Sequence, residues 1–316
     1  MRPLPLCRAV FCPVASSVSS RKCSAALPQR SMGLLRGVID SVSAKLAFFP
    51  PAPASYEVKG HDDRPDELYI CPRHPDMRKV LNCEVIRLHT KPIRGGGGNT
   101  QIIAAWIPYK TVVPTMLFSH GNAVDLGQML PFYRELSKEL HINVLGYDYS
   151  GYGCSTGTPS VSNAIADINA CYQFLLQVKR KRPQDIVIYG QSVGSGPTCD
   201  IAAAEKDVKG VVLHSPLMSG MRCLSPNMNK WPAWADVFPN ITLLPKIEAK
   251  TFIMHGDMDE VVPFAHGQAL HAAAKNPYPP LWACGYGHQN LEFCKQYLPS
   301  LHEYLRKLFG REYGML

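Results

Sequence analysis

No apolar run in this sequence reaches the roughly 18 residues that a membrane-spanning helix needs. A helix through a bilayer is therefore not expected. The eleven cysteines include no Cys-x-x-Cys pair and no spacing of the metal-site kind. No metal and no cofactor is expected. Acids are almost missing from the start of the chain. Residues 1–31 hold none, and residues 1–50 hold one, Asp40. Against it stand Arg2, Arg8, Arg21, Lys22, Arg30, Arg36 and Lys45. This leader carries +6 of the net +8, leaving +2 for the remaining residues. A nucleic-acid binder carries its basic stripe on the folded body. No nucleic-acid partner is expected here; an anionic membrane surface or a targeting receptor fits the leader better.

What is present is a chain of 316 residues, 46% hydrophobic and 18% charged. That is enough for one large domain with a full core. Most cysteines lie in apolar runs, as Cys171 and Cys199 do, which reads as free thiols in a reducing compartment. Residues 1–42 read as a flexible targeting or anchoring tail containing Cys7, Cys12 and Cys23. Residues 43–316 read as the folded domain. Residues 50–65 form a Pro-rich connector, and Gly95–Gly98 with Asn99 a hairpin loop. The glycine tract lacks the Lys-Ser/Thr of a phosphate loop.

Strands and helices then alternate. The strand candidates are Ile102–Ile107, Thr115–Ser119, Asn143–Tyr147, Asp185–Tyr189, Gly210–His214, Thr251–Met254 and Leu281–Cys284. Short apolar runs like these suit strands buried on both faces. Helical periodicity marks Leu130–Leu140, Ser162–Arg180, Pro263–Ala274 and Leu291–Leu308. The alternation predicts an α/β fold: a mostly parallel sheet flanked by helices. Ligands bind such sheets outside the carboxyl ends of the strands.

One strand runs into Gly190-Gln191-Ser192-Val193-Gly194 and then a helical stretch. This is G-x-S-x-G between strand and helix, the context in which the serine hydroxyl stands exposed as a nucleophile. Serine needs a base, and His288 follows the last strand in a glycine-containing loop. His120 and His255 end strands but read as structural, and His266 and His271 read as solvated. The loop after Thr251–Met254 offers Asp257, Asp259 and Glu260 as the orienting acid. Asp259 is favoured by its place in the loop; Asp257 holds the turn and Glu260 points to water. The order Ser192, Asp259, His288 is that of the α/β-hydrolase fold. The oxyanion donors are expected to be the backbone N–H groups of Val193 and Asn122, with Ala123 second choice. Side-chain identity at those donors is expected to matter little.

The stretches Phe118–Gln128 (FSHGNAVDLGQ), Tyr147–Gly153 (YDYSGYG), Ile188–Ser192 (IYGQS), Leu213–Gly220 (LHSPLMSG) and Ala44–Pro51 (AKLAFFPP) carry a resemblance. Over about residues 43–309 the chain resembles the alpha/beta-hydrolase domain-containing protein 17 family. The resemblance implies a depalmitoylase, which hydrolyses the thioester between a fatty acyl chain and a protein cysteine. It implies the same Ser192, Asp259 and His288. It also implies S-acylated membrane proteins as substrates and attachment to the cytoplasmic face of a membrane through acylated N-terminal cysteines. The chain departs from the family in two places. Its leader cysteines are scattered, and the base loop reads Gly-His-Gln-Asn-Leu-Glu where the family has Gly-His-Asn-Asp-Ile-Glu.

An irregular insert between Gly210–His214 and Thr251–Met254 carries Met218, Met221, Met228, Trp231, Trp234 and Phe238. It reads either as a small cap or acyl groove, or as packing over the sheet edge. The tail admits three readings: acylation at Cys7, Cys12 and Cys23, an organelle-import leader, or a start at Met32. Two other functions compete with thioester cleavage. One is hydrolysis of small soluble esters or peptides; the other is a non-catalytic binding protein on a hydrolase fold.

Overall fold

In the computed structural model the described residues are 47–74, 82–93, 97–110, 113–224, 236–310 and 313. The leader cysteines, Met32 and the insert residues Met228, Trp231 and Trp234 lie outside them. Among the described residues ten strands form one sheet in the order β1-β2-β3-β4-β6-β5-β7-β8-β9-β10. In chain order they are β1 (Tyr56–Gly60), β2 (Leu68–Pro72), β3 (Glu84–His89), β4 (Gln101–Ile107), β5 (Thr115–Ser119), β6 (Asn143–Tyr147), β7 (Ile186–Gln191), β8 (Gly210–His214), β9 (Lys250–Gly256) and β10 (Leu281–Ala283). Strands β5 to β10 run parallel, and β1 to β4 are added antiparallel at one edge.

Alternation along the parallel strands sorts the core into two halves. Leu117, Leu145, Ile188, Val211 and Ile253 face helices α2 (Val161–Gln177), α3 (Ser195–Ala204) and α4 (Phe264–Ala273). Met116, Val144, Tyr189, Val212 and Phe252 face α1 (Leu126–Glu139) and α5 (Tyr297–Phe309). Period-two side chains with both faces covered explain the continuous apolar runs. β5 pairs with β6 on one side and β7 on the other, so chain order reverses across it. The carboxyl ends of β5 and β7 thus open a crevice.

Several boundaries move from the sequence expectation. The stretch expected as a Pro-rich connector contains β1. Of its five side chains only Tyr56 is buried, so the strand gives no apolar run. α1 starts at Leu126, ahead of Pro131, because Asp125 and Gln128 form a reciprocal cap. The stretch Leu291–Leu308 divides into a single 3₁₀ turn, Leu291–Phe293, and α5. Pro299 then falls in the first turn of α5, where its missing N–H costs nothing.

Candidate active site

Ser192 sits where β7 turns into α3, with φ +52°. This left-handed backbone is strained for a residue with a side chain. The turn closes only because its neighbours lack one. A Cβ at Gly190 would lie 2.5 Å from the Gly194 carbonyl oxygen, and one at Gly194 would lie 2.3 Å from that of Ser119. The turn aims Ser192 Oγ at His288 Nε2, 2.9 Å away. His288 Nδ1 faces Asp259 Oδ2 at 2.8 Å. A carboxylate accepts only, so Nδ1 carries the proton and Nε2 accepts from the serine hydroxyl. The structure thus brings the three expected residues into one hydrogen-bonded row.

Asp259 has its side chain fully buried. Burial alone would push its pKa up. Hydrogen bonds from His255 and His288 and the Val262 N–H outweigh it and hold the carboxyl well below the usual carboxylate range. Its Oδ1 accepts from the N–H groups of Val261 (3.0 Å) and Val262 (2.7 Å). His255 Nε2 lies 3.1 Å from Asp259 Oδ2 and 2.9 Å from the Val262 carbonyl oxygen. Both are acceptors, so that nitrogen carries a hydrogen. His255 is therefore a second brace on the carboxylate.

The other loop residues have distinct places. Asp257 Oδ1 accepts from Gly285 N–H at 2.7 Å. Glu260 is exposed, yet its Oε2 accepts from the His288 N–H at 3.3 Å and so does not serve water alone. His266 is buried, against expectation: its ring accepts from Met218 N–H at 3.2 Å beneath the insert. His271 is half-buried, its Nε2 3.2 Å from the Tyr278 carbonyl oxygen. Both face inward because α4 packs against β9.

Two side chains at the site carry roles that no local sequence pattern marks. His214 ends β8 fully buried, with Nδ1 2.8 Å from Tyr189 Oη. Burial, then the neighbouring His288 and His255, lower its pKa to about 3. It packs as a neutral ring near the Ser–His–Asp row. The Asn122 side chain is the second. Its Oδ1 accepts from Phe49 N–H (2.8 Å), Tyr152 O–H (2.7 Å) and Ala123 N–H (2.9 Å), and its Nδ2 donates to the Ala47 carbonyl at 2.9 Å. Side-chain identity at this position therefore matters, contrary to expectation. The Ala123 amide is committed to this cluster. Only long-range contacts reveal such a clamp.

Ser192, His288, Asn122 and Val193 line one cavity of about 980 Å³. Its apolar wall includes Met129, Phe132, Leu217 and Leu298. Met221 and Phe238 from the insert line it too, whereas Met218 packs against the core.

A family model described as "Serine aminopeptidase, S33" matches residues 111–244. Alpha/beta hydrolase domain-containing protein 17B of Homo sapiens is 46% identical over 264 residues, covering 84% of this chain and 90% of that one. Protein 17C of Xenopus tropicalis is 37% identical over 282 residues, with 84% and 89% covered. The chain belongs to the alpha/beta hydrolase domain-containing protein 17 family. Among solved structures, an esterase from Pyrococcus furiosus superposes with a TM-score of 0.58 at 21% identity, over 72% of this chain and 93% of that one. At that identity the likeness speaks for the fold alone. This member of the protein 17 family is an α/β hydrolase.

Proposed function

We propose that the protein is a serine hydrolase that cleaves fatty-acyl thioesters from protein cysteines through an acyl-Ser192 intermediate. The observation that carries the reading is the Ser192–His288–Asp259 row, 2.9 and 2.8 Å per contact, opening onto an apolar cavity of about 980 Å³. Ser192 Oγ attacks the acyl carbonyl and passes its proton to His288 Nε2. The carbonyl oxygen becomes an oxyanion facing the N–H groups of Asn122 and Val193, and Asp259 stabilises the imidazolium. The carbon–sulfur bond breaks. The departing sulfur takes the proton from His288 Nε2 and leaves as a thiol; with a thiol pKa near 8.5 it needs little driving force for this, and His288 is neutral again. His288 then takes a proton from water, whose oxygen attacks the acyl-serine carbon. The fatty acid departs and Ser192 regains its proton. Substrates on this reading are S-acylated membrane proteins. Acylation at Cys7, Cys12 and Cys23 would hold the enzyme on the cytoplasmic face of the same membrane.

The family-model description favours a second reading, hydrolysis of small peptides. Turnover of an S-palmitoyl peptide, its O-palmitoyl analogue and an aminoacyl arylamide separates the two. We expect the thioester to be cleaved fastest and the arylamide hardly at all. Preference for the arylamide would overturn the proposal.

A further inference from the structure

We propose that the mouth of the cavity is a docking surface for an anionic lipid bilayer, with an apolar rim that enters the interface and a basic leader that attracts it. Five large hydrophobic side chains stand exposed among the described residues. Four of them belong to segments around this cavity. Phe49 is 55% exposed, Val261 50% and Phe293 76%, and all three line the cavity. Met258, 67% exposed, shares the loop of Asp259 and Val261. The fifth, Val178, follows α2. Its neighbour Lys179 lines a different cavity with Asn143, the first residue of β6, at the opposite end of the sheet. Exposed apolar groups gathered at one opening mark an interaction site, whereas scattered ones need no explanation.

Charge identifies the occupant. Among the described residues no lysine or arginine lines the cavity, and Glu135 and Glu292 do. The opening alone would not be drawn to an anionic surface. The leader supplies the missing attraction with its net +6, and it joins the described fold at this opening. Ala47 and Phe49 line the cavity, and Asn122 fixes both through Nδ2 and Oδ1. The seven basic residues thus precede, in the same chain, a segment that lines this opening. An amphipathic surface of this composition binds where lipid headgroups are negative and acyl chains lie just below. Its consequence for catalysis rests on the thioesterase reading, because an S-acyl chain leaving the bilayer would enter the cavity without crossing water. The binding itself does not depend on that reading.

The test is flotation of the full-length, unacylated chain with vesicles of phosphatidylcholine alone or with 30% phosphatidylserine, at about 0.1 M salt. We expect binding to the phosphatidylserine vesicles that weakens as salt rises. The double variant Phe293→Ser/Met258→Ser should lose roughly tenfold or more in partitioning. Both side chains are mostly exposed, so the variant should keep the wild-type Tm. Replacing the leader arginines and lysines with glutamine should abolish the preference for phosphatidylserine. Wild type that floats with neither vesicle overturns the proposal, as does a rim variant that partitions like wild type. A sedimenting dimer that becomes monomeric on Phe293→Ser/Met258→Ser overturns it too, because a second copy then covers the rim. Loss of thioesterase activity with vesicle binding retained would count against the proposed reaction and leave the docking surface standing.

Discussion

Ser192 holds a left-handed backbone, and its side chain is the reason to tolerate it. Ser192→Ala and Ser192→Gly both remove the hydroxyl, but only glycine relaxes the strain. Urea unfolding should find the glycine variant more stable than the alanine variant by about 1 kcal/mol. Asp259 makes the second prediction at this scale. Asp259→Asn should lower kcat about 10⁴-fold by favouring the wrong His288 tautomer. Its folded pKa is depressed below the ordinary 3.8. The stability it contributes is therefore complete above that value and lost as pH falls below it. Acid unfolding of wild type should be steeper below about pH 4 than that of Asp259→Asn. Ser192, Asp259 and His288 could be read from the chain because each follows a strand and carries a distinctive residue type. His255 as a brace could not, because its contact to Asp259 arises only when the loop folds back. The Asn122 clamp reaches 75 residues along the chain to Ala47, and no local pattern records such a contact.

Between elements, the loop after β5 is held by the segment that precedes β1. Asn122→Ala removes four hydrogen bonds at once. It should cost about 1–3 kcal/mol in stability and lower kcat more than it raises KM, because the backbone donor shifts with the loop. A second link joins α2 to the turn after β6. Asp167, fully buried, accepts from the Ser150 N–H at 2.7 Å and from its hydroxyl at 2.8 Å. Burial raises its pKa to about 7, although those two bonds favour the ionised form. A raised carboxyl stabilises the fold at low pH and loses that contribution as pH rises through the folded value. Stability should fall through this group between about pH 4 and pH 7, and Asp167→Asn should flatten the slope. The parallel strands were legible as elements because both faces are buried. β1 and β3 were not, since charged and polar residues interrupt any apolar run in them; β2 is apolar but only five residues long and largely half-buried.

For the molecule as a whole, the proposed function has the cavity set substrate size and the row of three side chains set the chemistry. Its wall comes from separate segments: the insert gives Leu217, Met221, Val237 and Phe238, α1 gives Met129, Phe132 and Leu136, and α5 gives Leu298. The sequence suggested the apolar insert, whereas the share from α1 depends on how the elements pack. Filling part of the cavity with Leu298→Trp should reduce hydrolysis of long-chain thioesters about tenfold or more while short-chain turnover changes less. Comparing kcat/KM across chain lengths checks this. The row of three side chains should activate one serine among many, which reaction with a fluorophosphonate followed by mapping of the adduct by peptide mass spectrometry reads out. A single adduct is expected on Ser192, absent in Ser192→Ala and formed far more slowly in His288→Ala. Folded wild-type protein that takes no adduct while a known serine hydrolase does, or an adduct on a different serine, would contradict it.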